Sequence, residues 1–345
     1  MNFKVTKRLP STEEIIQAFP LSDAGFEQVA KDKQEIKDIL SGKDNRMLVI
    51  VGPCSAWPYE GVLKYAEKLS KLKKKVDKKL KLVMRLYIQK PRTTKGWTGP
   101  VNQPDPFSKP DIIEGIKYSR SIMVKVIEMG LPIADEAVFT HNAKGFIELL
   151  SWVAIGARST EDQEHRIFAS LVDCPVGMKN PTSGTIEIGV NSIVSAQNGH
   201  TAVFDGAQVE TAGNPFAHLV LRGGIKRPNY HVEDIYHAQK LMLAHKLKNP
   251  AIIIDASHDN CKIEDKKDPL QQVNVVREVM ASLSLYPDLR GLVKGFMLES
   301  FLKTGSQKVE SLGKEEVDID GLSITDPCLG WDETEKLILN LADAL

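Results

Sequence analysis

The sequence lacks the features that mark membrane proteins and nucleic-acid-binding proteins. Lysine plus arginine and aspartate plus glutamate each number 45 among 345 residues, so the formal net charge is zero at pH 7. This balance excludes the broad basic surface by which proteins bind nucleic acids or anionic membranes. No apolar run approaches a membrane span in length, and the opening MNFKVTKRLPSTEE has no apolar core of signal-peptide length. We therefore expect neither a nucleic-acid partner nor a membrane partner.

Cysteine is also scarce. The chain has four cysteines, at positions 54, 174, 261 and 328. Such wide spacings in a chain of this size do not form a disulfide framework, so we expect a reducing, cytoplasmic setting. In that setting a thiol on a loop is available as a metal ligand or a nucleophile.

Short apolar runs alternate with helix-length amphipathic segments along most of the chain. This alternation predicts parallel βαβ units, and eight repeats favour a closed (β/α)8 TIM barrel over an open sheet. The eight runs are MLVIV, KLVMRLYI, LPIADE, VAIGAR, CPVGMK, HLVLRGG, AIIIDASH and LVKGFMLES. Predicted helices between them include Tyr59–Leu72, Ile112–Met129, Thr185–Ala196, Val232–Leu247 and Gln271–Leu285.

Residues 1–45 precede this repeat and form a predicted N-terminal helical extension, whereas residues 46–345 form the predicted catalytic barrel. The extension has a capping box at Ser11 and a helix from Ser22 to about Leu40, closed by Gly42.

Two further segments stand out. His200 to Ala217 alternates like strands and contains turn residues but no helical pattern, so we predict an extra β-hairpin before the sixth barrel strand. The run KLKKKVDKKLK, from Lys71 to Lys81, has no interleaved aromatic residues and is interpreted as the solvated end of a helix.

Charged residues occupy the predicted strand ends, where the loops of a barrel carry its chemistry. Crowded like charges are unfavourable unless anions lie between them, and guanidinium groups match phosphate and carboxylate groups. The set therefore predicts a site for more than one anionic group, for instance two phosphates and a carboxylate. For any single arginine, a surface salt bridge is the simpler interpretation. The cations are Arg85, Lys90, Arg92, Arg158, Lys179 and Arg222, and Glu136 lies among them.

A second group combines a thiol, an imidazole and two carboxylates. Cys54, His258 and Glu299 follow or end predicted strands, and Asp326 lies in the loop SITDPCLGW. This mixture of soft and hard donors suits one divalent transition metal (Mn, Fe, Co or Zn) and does not suit Mg²⁺ or Ca²⁺. A lone cysteine or histidine is usually a packed residue, so the strand-end placement is what favours a metal site.

Taken in order, several motifs resemble the class I 3-deoxy-D-arabino-heptulosonate 7-phosphate (DAHP) synthases. The resemblance runs from about Arg46 to the C-terminus, and the N-terminal extension fits the long-subunit type. KPRTT is the most specific motif, because the related 3-deoxy-octulosonate 8-phosphate synthases differ there. The motifs are GPCS, KPRTTKGW, GARST, CPVGMKN, LRGG, the SH of DASHDN, MLES and SITDPCLGW.

The resemblance implies condensation of phosphoenolpyruvate with erythrose 4-phosphate, the first step of the shikimate pathway, in a homo-oligomer (dimer or tetramer). It assigns catalytic roles to Lys90, Cys54 and His258, with Lys90 as a proton donor. Arg92 and Thr93 would contact the aldose phosphate. The implied metal ligands are Cys54, His258, Glu299 and Asp326. The implied phosphoenolpyruvate-binding cations are Arg85, Lys90, Arg158, Lys179 and Arg222, with Glu136 also at the substrate site.

This sequence departs from the family pattern at several points. Trp57 and Phe301 replace the usual residues near the implied metal ligands, which puts the surroundings of the metal in doubt. Residues 135–145 and the hairpin after His200 lie on segments that in the family help to form the feedback site, so we predict weak or absent inhibition by phenylalanine, tyrosine or tryptophan, or an effector outside that set. We also hypothesise that Cys328 forms a disulfide with Cys54 under oxidants when the metal is absent.

Three alternatives remain open at this stage. One is a paralogue that condenses phosphoenolpyruvate with a different aldose phosphate in a specialised pathway. Another is a catalytically silent barrel that senses phosphorylated metabolites. A structural protein without a site would leave the strand-end cations unexplained.

Overall fold

A computed structural model describes residues 1–92, 95–138 and 145–345. Eight parallel strands close into a barrel, which confirms the predicted (β/α)8 fold. The barrel order is β1-β2-β3-β4-β5-β8-β9-β12. The strands are β1 (Met47–Gly52), β2 (Leu80–Arg85), β3 (Ile133–Ala137), β4 (Trp152–Ile155), β5 (Val176–Lys179), β6 (Thr201–Phe204), β7 (Ala207–Glu210), β8 (Ala217–Leu221), β9 (Ile252–Asp255), β10 (Lys262–Ile263), β11 (Lys266–Lys267) and β12 (Val293–Glu299).

Helices connect the barrel strands and cover them. The five helices predicted between strands are present with bounds that differ by a few residues. The helices are α1 (Thr12–Ala18), α2 (Asp23–Ser41), α3 (Tyr59–Val76), α4 (Ile112–Glu128), α5 (Gln163–Leu171), α6 (Ile186–Gln197), α7 (Val232–Ala244), α8 (Gln271–Leu285) and α9 (Trp331–Asp343).

The N-terminal extension contains the two predicted helices. Ser11 and Glu14 form the capping box of α1, and α2 ends at Gly42, whose φ of +79° is the left-handed conformation that glycine adopts readily. Ile36 and Ile39 of α2 pack in one buried cluster with Leu48 near the start of β1. Helix α2 therefore lies against the amino ends of the strands, opposite the end where barrel chemistry is expected.

The basic stretch is solvated only in part. Lys71, Lys74 and Lys75 of α3 are exposed as predicted, but Lys81 lies in β2 and is buried. Its Nζ lies 2.5 Å from Asp32 Oδ1 and 2.7 Å from Glu35 Oε2. The prediction is wrong for Lys81, because α2 brings two carboxylates to the start of β2 and gives the ammonium group a paired, buried position.

The predicted extra hairpin is confirmed as the antiparallel pair β6–β7, which precedes the sixth barrel strand, β8. A shorter hairpin, β10–β11, follows β9 and was not predicted. In the described part of the chain, no helix combines the length and apolar character that crossing a membrane requires.

Candidate active site

A cavity of about 270 Å³ opens at the carboxyl ends of the barrel strands. Parallel strands deliver their last residues to this mouth, and most predicted site residues line it. The lining residues are Lys90, Pro91, Arg92, Lys95, Glu136, Ala157, Arg158, Lys179, Arg222, His258, Lys267, Thr325 and Asp326.

Three of the four predicted metal ligands lie together. One donor atom from each of Cys54, Glu299 and Asp326 lies within 4.8 Å of the other two. Strand β1 ends just before Cys54, and Glu299 is the last residue of β12, paired across the sheet with Gly52. The two neighbouring barrel strands therefore bring the thiol and the first carboxylate together.

His258 lies beside this group without being part of it. Its Nε2 is 3.7 Å from Glu299 Oε1, and its Nδ1 lies 2.8 Å from Asp255 Oδ2 and 2.8 Å from Ser257 Oγ. Burial lowers the pKa of His258 despite the two carboxylates, which favours the neutral imidazole that can bind a metal. Asp255 and Ser257 hold Nδ1, so Nε2 is the nitrogen that faces the carboxylate group.

The donor set fits a divalent cation. Burial and the neighbouring Glu299 raise the pKa of the Cys54 thiol, whereas His258 and Arg85 hold the pKa of Glu299 low against its burial. A thiolate and two carboxylates this close repel one another, and a bound cation would remove that repulsion. Sulfur, oxygen and imidazole nitrogen together suit a transition metal better than Mg²⁺ or Ca²⁺.

Lys90 connects this group to the cations. Its Nζ donates to the Cys54 carbonyl oxygen at 2.7 Å and lies 3.1 Å from Cys54 Sγ. Although burial disfavours its charge, Cys54, Glu299 and Glu136 raise the pKa of Lys90. The side chain is therefore a protonated donor at neutral pH, located between the thiol and the cavity.

Several cations of the mouth have carboxylate partners. Lys179 Nζ lies 3.0 Å from Glu136 Oε2, Arg92 lies 3.4 Å from Glu310, and Arg222 is paired with Asp259. Burial opposes ionisation of Glu136, but Lys179 and Lys90 outweigh it and lower the pKa of Glu136 to about 2. Glu136 is thus charged, and it offsets part of the positive charge that faces the cavity.

Arg85 lies beneath the mouth and does not line the cavity. It is fully buried, with Nη2 at 3.1 Å from Glu299 Oε1 and its guanidinium 3.9 Å from the centre of the Tyr87 ring. Among the described residues, nothing accepts a hydrogen bond from its Nε or Nη1. Such orphaned buried donors are costly unless an anion or water satisfies them.

Sequence reasoning missed several residues of the site. Lys95 and Lys267 line the cavity, Asp259 pairs with Arg222, and the Tyr87 ring lies within 6 Å of the charged groups of Arg85, Lys90 and Lys179. Tyr87 was visible as the aromatic residue after the second strand. Lys267 had no such signal, because its strand has two residues and the turn before it lacks glycine.

Some predicted features lie outside the described residues or stay predictions. Thr93 and residues 139–144 of the divergent segment are outside the described part of the chain.

Phe301 is fully buried and packs beside Tyr65, with ring centres 6.1 Å apart. Burial and the neighbouring Cys54 raise the pKa of the Cys328 thiol, both cysteines are buried and free, and the disulfide stays a prediction.

Comparison with known proteins shows the family of the chain. The sequence model of the DAHP synthetase I family matches residues 24–339. A Trp-sensitive phospho-2-dehydro-3-deoxyheptonate aldolase of Enterobacter agglomerans is 39% identical over 331 residues, which cover 94% of this chain and 92% of the relative. A phospho-2-dehydro-3-deoxyheptonate aldolase of Corynebacterium glutamicum is 38% identical over 347 residues, which cover 98% of this chain and 92% of that protein.

A solved structure shows the same similarity in three dimensions. The phospho-2-dehydro-3-deoxyheptonate aldolase of Francisella tularensis superposes with a TM-score of 0.92 at 34% sequence identity, and the match covers 99% of this chain and 98% of that one. The family match spans nearly all of the barrel and about half of the N-terminal extension. This chain belongs to the DAHP synthetase I family.

Proposed function

We propose that this chain condenses phosphoenolpyruvate with erythrose 4-phosphate to give DAHP and inorganic phosphate, the first step of the shikimate pathway. The observation that carries the proposal is one cavity that is lined by cations and by Asp326, whose carboxylate belongs to the compact donor group with the buried Cys54 and Glu299. Phosphoenolpyruvate brings a carboxylate and a phosphate, and the aldose brings a second phosphate. The substrates thus match the anion content that the cations require.

Each substrate has its own group of cations in this proposal. Arg158, Lys179 and Arg222 hold the phosphate of phosphoenolpyruvate, and Arg85 and Lys90 lie on its carboxylate side. Arg92 binds the aldose phosphate, together with Thr93. The unpaired Nε and Nη1 of Arg85 and the unpaired Nε of Arg222, judged against the described residues, support these roles because each needs an acceptor. Holding the two anionic substrates head to tail accounts for a large part of the rate enhancement.

A metal completes the site in this proposal. DAHP synthases are generally metal-dependent, and this chain offers Cys54, Glu299 and Asp326 as a compact donor group with His258 beside it. We propose that these four residues hold one Mn²⁺, Fe²⁺, Co²⁺ or Zn²⁺. When bound, such an ion supplies Lewis acidity toward the aldehyde carbonyl.

During the reaction, the side chains of the site donate a proton and bind the phosphate that is released. C3 of phosphoenolpyruvate attacks the aldehyde carbon, and Lys90 donates its proton to the alkoxide oxygen that forms. Positive character develops at C2, where water adds, and cleavage of the C–O bond releases phosphate. The released phosphate stays between Arg158, Lys179 and Arg222 until it leaves.

An assay with both substrates tests the proposal. The purified chain is incubated with phosphoenolpyruvate, erythrose 4-phosphate and Mn²⁺, with and without a chelator, and phosphoenolpyruvate consumption and DAHP are measured. We expect turnover that the chelator abolishes. Turnover only with an aldose phosphate of another chain length would instead support the specialised paralogue, and metal binding without any turnover would support the silent sensor.

Regulation, assembly and location are also proposals. The divergent residues 135–145 and the hairpin after His200 support weak or absent feedback inhibition, even though the Enterobacter relative is named Trp-sensitive. We expect phenylalanine, tyrosine and tryptophan to inhibit by less than half at about 100 µM, which is a saturating dose for a micromolar site.

The family resemblance supports a dimer or tetramer, and four free thiols support a cytoplasmic location.

A further inference from the structure

The short hairpin β10–β11 brings Lys267 to the mouth of the barrel, and the turn of this hairpin has a strained backbone conformation. Its turn residues Glu264 and Asp265 have φ values of +46° and +63°. Two-residue hairpin turns of this kind normally use asparagine, aspartate or glycine. Left-handed backbone is unfavourable for glutamate, and such strain persists where the surroundings hold it, often beside functional sites.

The register of this hairpin directs one face toward carboxylates. Lys262 and Lys267 are paired across the two strands, so their side chains share a face. Lys262 Nζ lies 2.6 Å from Asp259 Oδ1, and Lys267 Nζ lies 2.6 Å from Asp326 Oδ2. Lys266, on the other face, is exposed. The hairpin therefore presents two ammonium groups to the barrel mouth.

Asp326 is held less firmly than the other carboxylate of the donor group. Its side chain is 40% exposed, whereas that of Glu299 is 1% exposed and lies at a strand end. Residues 324–326 form a bend between isolated bridges at Ser323 and Cys328. Among the described residues, Lys267 is the only side chain that forms an ion pair with Asp326. The ammonium group engages Oδ2 and leaves the carboxylate able to face Cys54 and Glu299.

We infer that Lys267 is a positioning residue that orients Asp326 as a metal ligand. The inference rests on the metal site of the proposed function and adds a residue that acts through Asp326. The positive charge of Lys267 also repels a bound cation. Replacing Lys267 removes only part of the repulsion at the site, because Arg85 and Lys90 remain beside the donor group. No other described side chain orients Asp326, so loss of orientation outweighs loss of repulsion.

Metal binding without substrates tests this role. Co²⁺ affinity is measured by equilibrium dialysis for the full chain and for Lys267→Met, Lys267→Arg and Lys266→Met. Groups that orient metal ligands contribute about 10- to 100-fold to affinity, so Lys267→Met is expected to weaken Co²⁺ binding by that factor. Lys267→Arg keeps the ion pair and restores most of the affinity. Lys266→Met is the matched control on the exposed face and binds Co²⁺ like the parent chain.

Each other outcome has a defined meaning. Unchanged or tighter Co²⁺ binding by Lys267→Met overturns the inference, as does a parent chain that binds no Co²⁺. If Lys267→Met does not fold, as judged by circular dichroism, Lys267→Gln replaces it and is judged by the same criterion. Because no substrate is present, weakened binding supports the role of Lys267 even if the parent chain makes no DAHP, and that second result would count against the proposed function alone.

Discussion

The two ends of the barrel use buried cations in opposite ways. At the amino end, Lys81 is enclosed by α2 and paired with both Asp32 and Glu35. At the carboxyl end, the described lining of one cavity holds seven cations and two carboxylates, Glu136 and Asp326. Arg92 and Arg222 also pair with acids outside this lining. Just beneath that cavity, Arg85 has two nitrogens, Nε and Nη1, without an acceptor in the described part of the chain.

This difference separates a structural charge from a functional one. Breaking a buried pair leaves an uncompensated charge, so the partners of Lys81 fix α2 to the barrel. Like charges crowded around one cavity are unfavourable in the free protein and become favourable when anions bind between them. Substitutions at the amino end should therefore affect folding, and substitutions at the mouth should affect substrate and metal binding.

The largest effect is expected at Cys54. Cys54→Ala removes the thiol of the proposed metal group, and turnover should fall more than 100-fold, beyond the roughly 10- to 100-fold attributed to residues that only orient ligands. The midpoint of urea unfolding of the metal-free protein should change little, because one sulfur atom is lost. Turnover within about threefold of the parent would contradict the assignment, and Cys174→Ala, at a buried cysteine outside the cavity, is the control.

At the amino end, Lys81→Met should cost about 3 kcal/mol of unfolding free energy. The low end of the range for broken buried pairs applies because Glu35 is 23% exposed and can be solvated in part. Urea denaturation measures the loss, and KM values of the folded fraction should not change. Lys79→Met, two residues earlier and exposed, should stay within about 0.5 kcal/mol of the parent. Equal stability of the two variants would refute the role of Lys81.

Arg158→Met should raise the KM for phosphoenolpyruvate about 10- to 100-fold. Hydrogen bonds to charged groups contribute about 1.5–3 kcal/mol, which corresponds to that change in affinity. Because Arg158 lines the cavity on the phosphate side of the proposed arrangement, the KM for erythrose 4-phosphate should change less than threefold. Steady-state kinetics with each substrate varied in turn measures the two KM values separately. Equal changes in both KM values would contradict separate cation groups for the two substrates.

The last prediction concerns the pH dependence of stability. Burial raises the pKa of Asp135, beside Glu136, to about 8, whereas an unfolded aspartate has a pKa near 3.9. Between these values the unfolded state binds fewer protons than the folded state, so stability falls as pH rises toward 8. In the parent chain, Asp135 makes the unfolding free energy fall with pH by at most about 1.4 kcal/mol per pH unit, and Asp135→Asn should remove this contribution. Urea unfolding at several pH values between 5 and 8 measures the unfolding free energy of the parent chain and of Asp135→Asn. If the two proteins have the same dependence on pH, Asp135 is charged in the folded protein and the prediction is wrong.

The sequence predicted the barrel and most of the mouth because both depend on short patterns. Each strand is an apolar run, and Cys54, Lys179 and Glu299 are recognisable by their positions at or just after strand ends. Lys81 was misinterpreted because its partners lie 49 and 46 residues away, in a helix whose packing on the barrel no local pattern shows. Lys267 was missed because a two-residue strand has no periodicity, and the first residue of its left-handed turn is Glu264, a residue type that does not indicate such a turn.

The location of the bound metal tests the central claim most directly. A crystal structure of the chain grown with Co²⁺, with anomalous data at the cobalt edge, would locate the ion. We predict one strong peak per chain, about 2.3 Å from Cys54 Sγ, a typical metal–thiolate distance, and within bonding distance of Glu299, Asp326 and His258 Nε2. A peak elsewhere, or no peak at these four side chains in a protein that binds Co²⁺, would contradict the account.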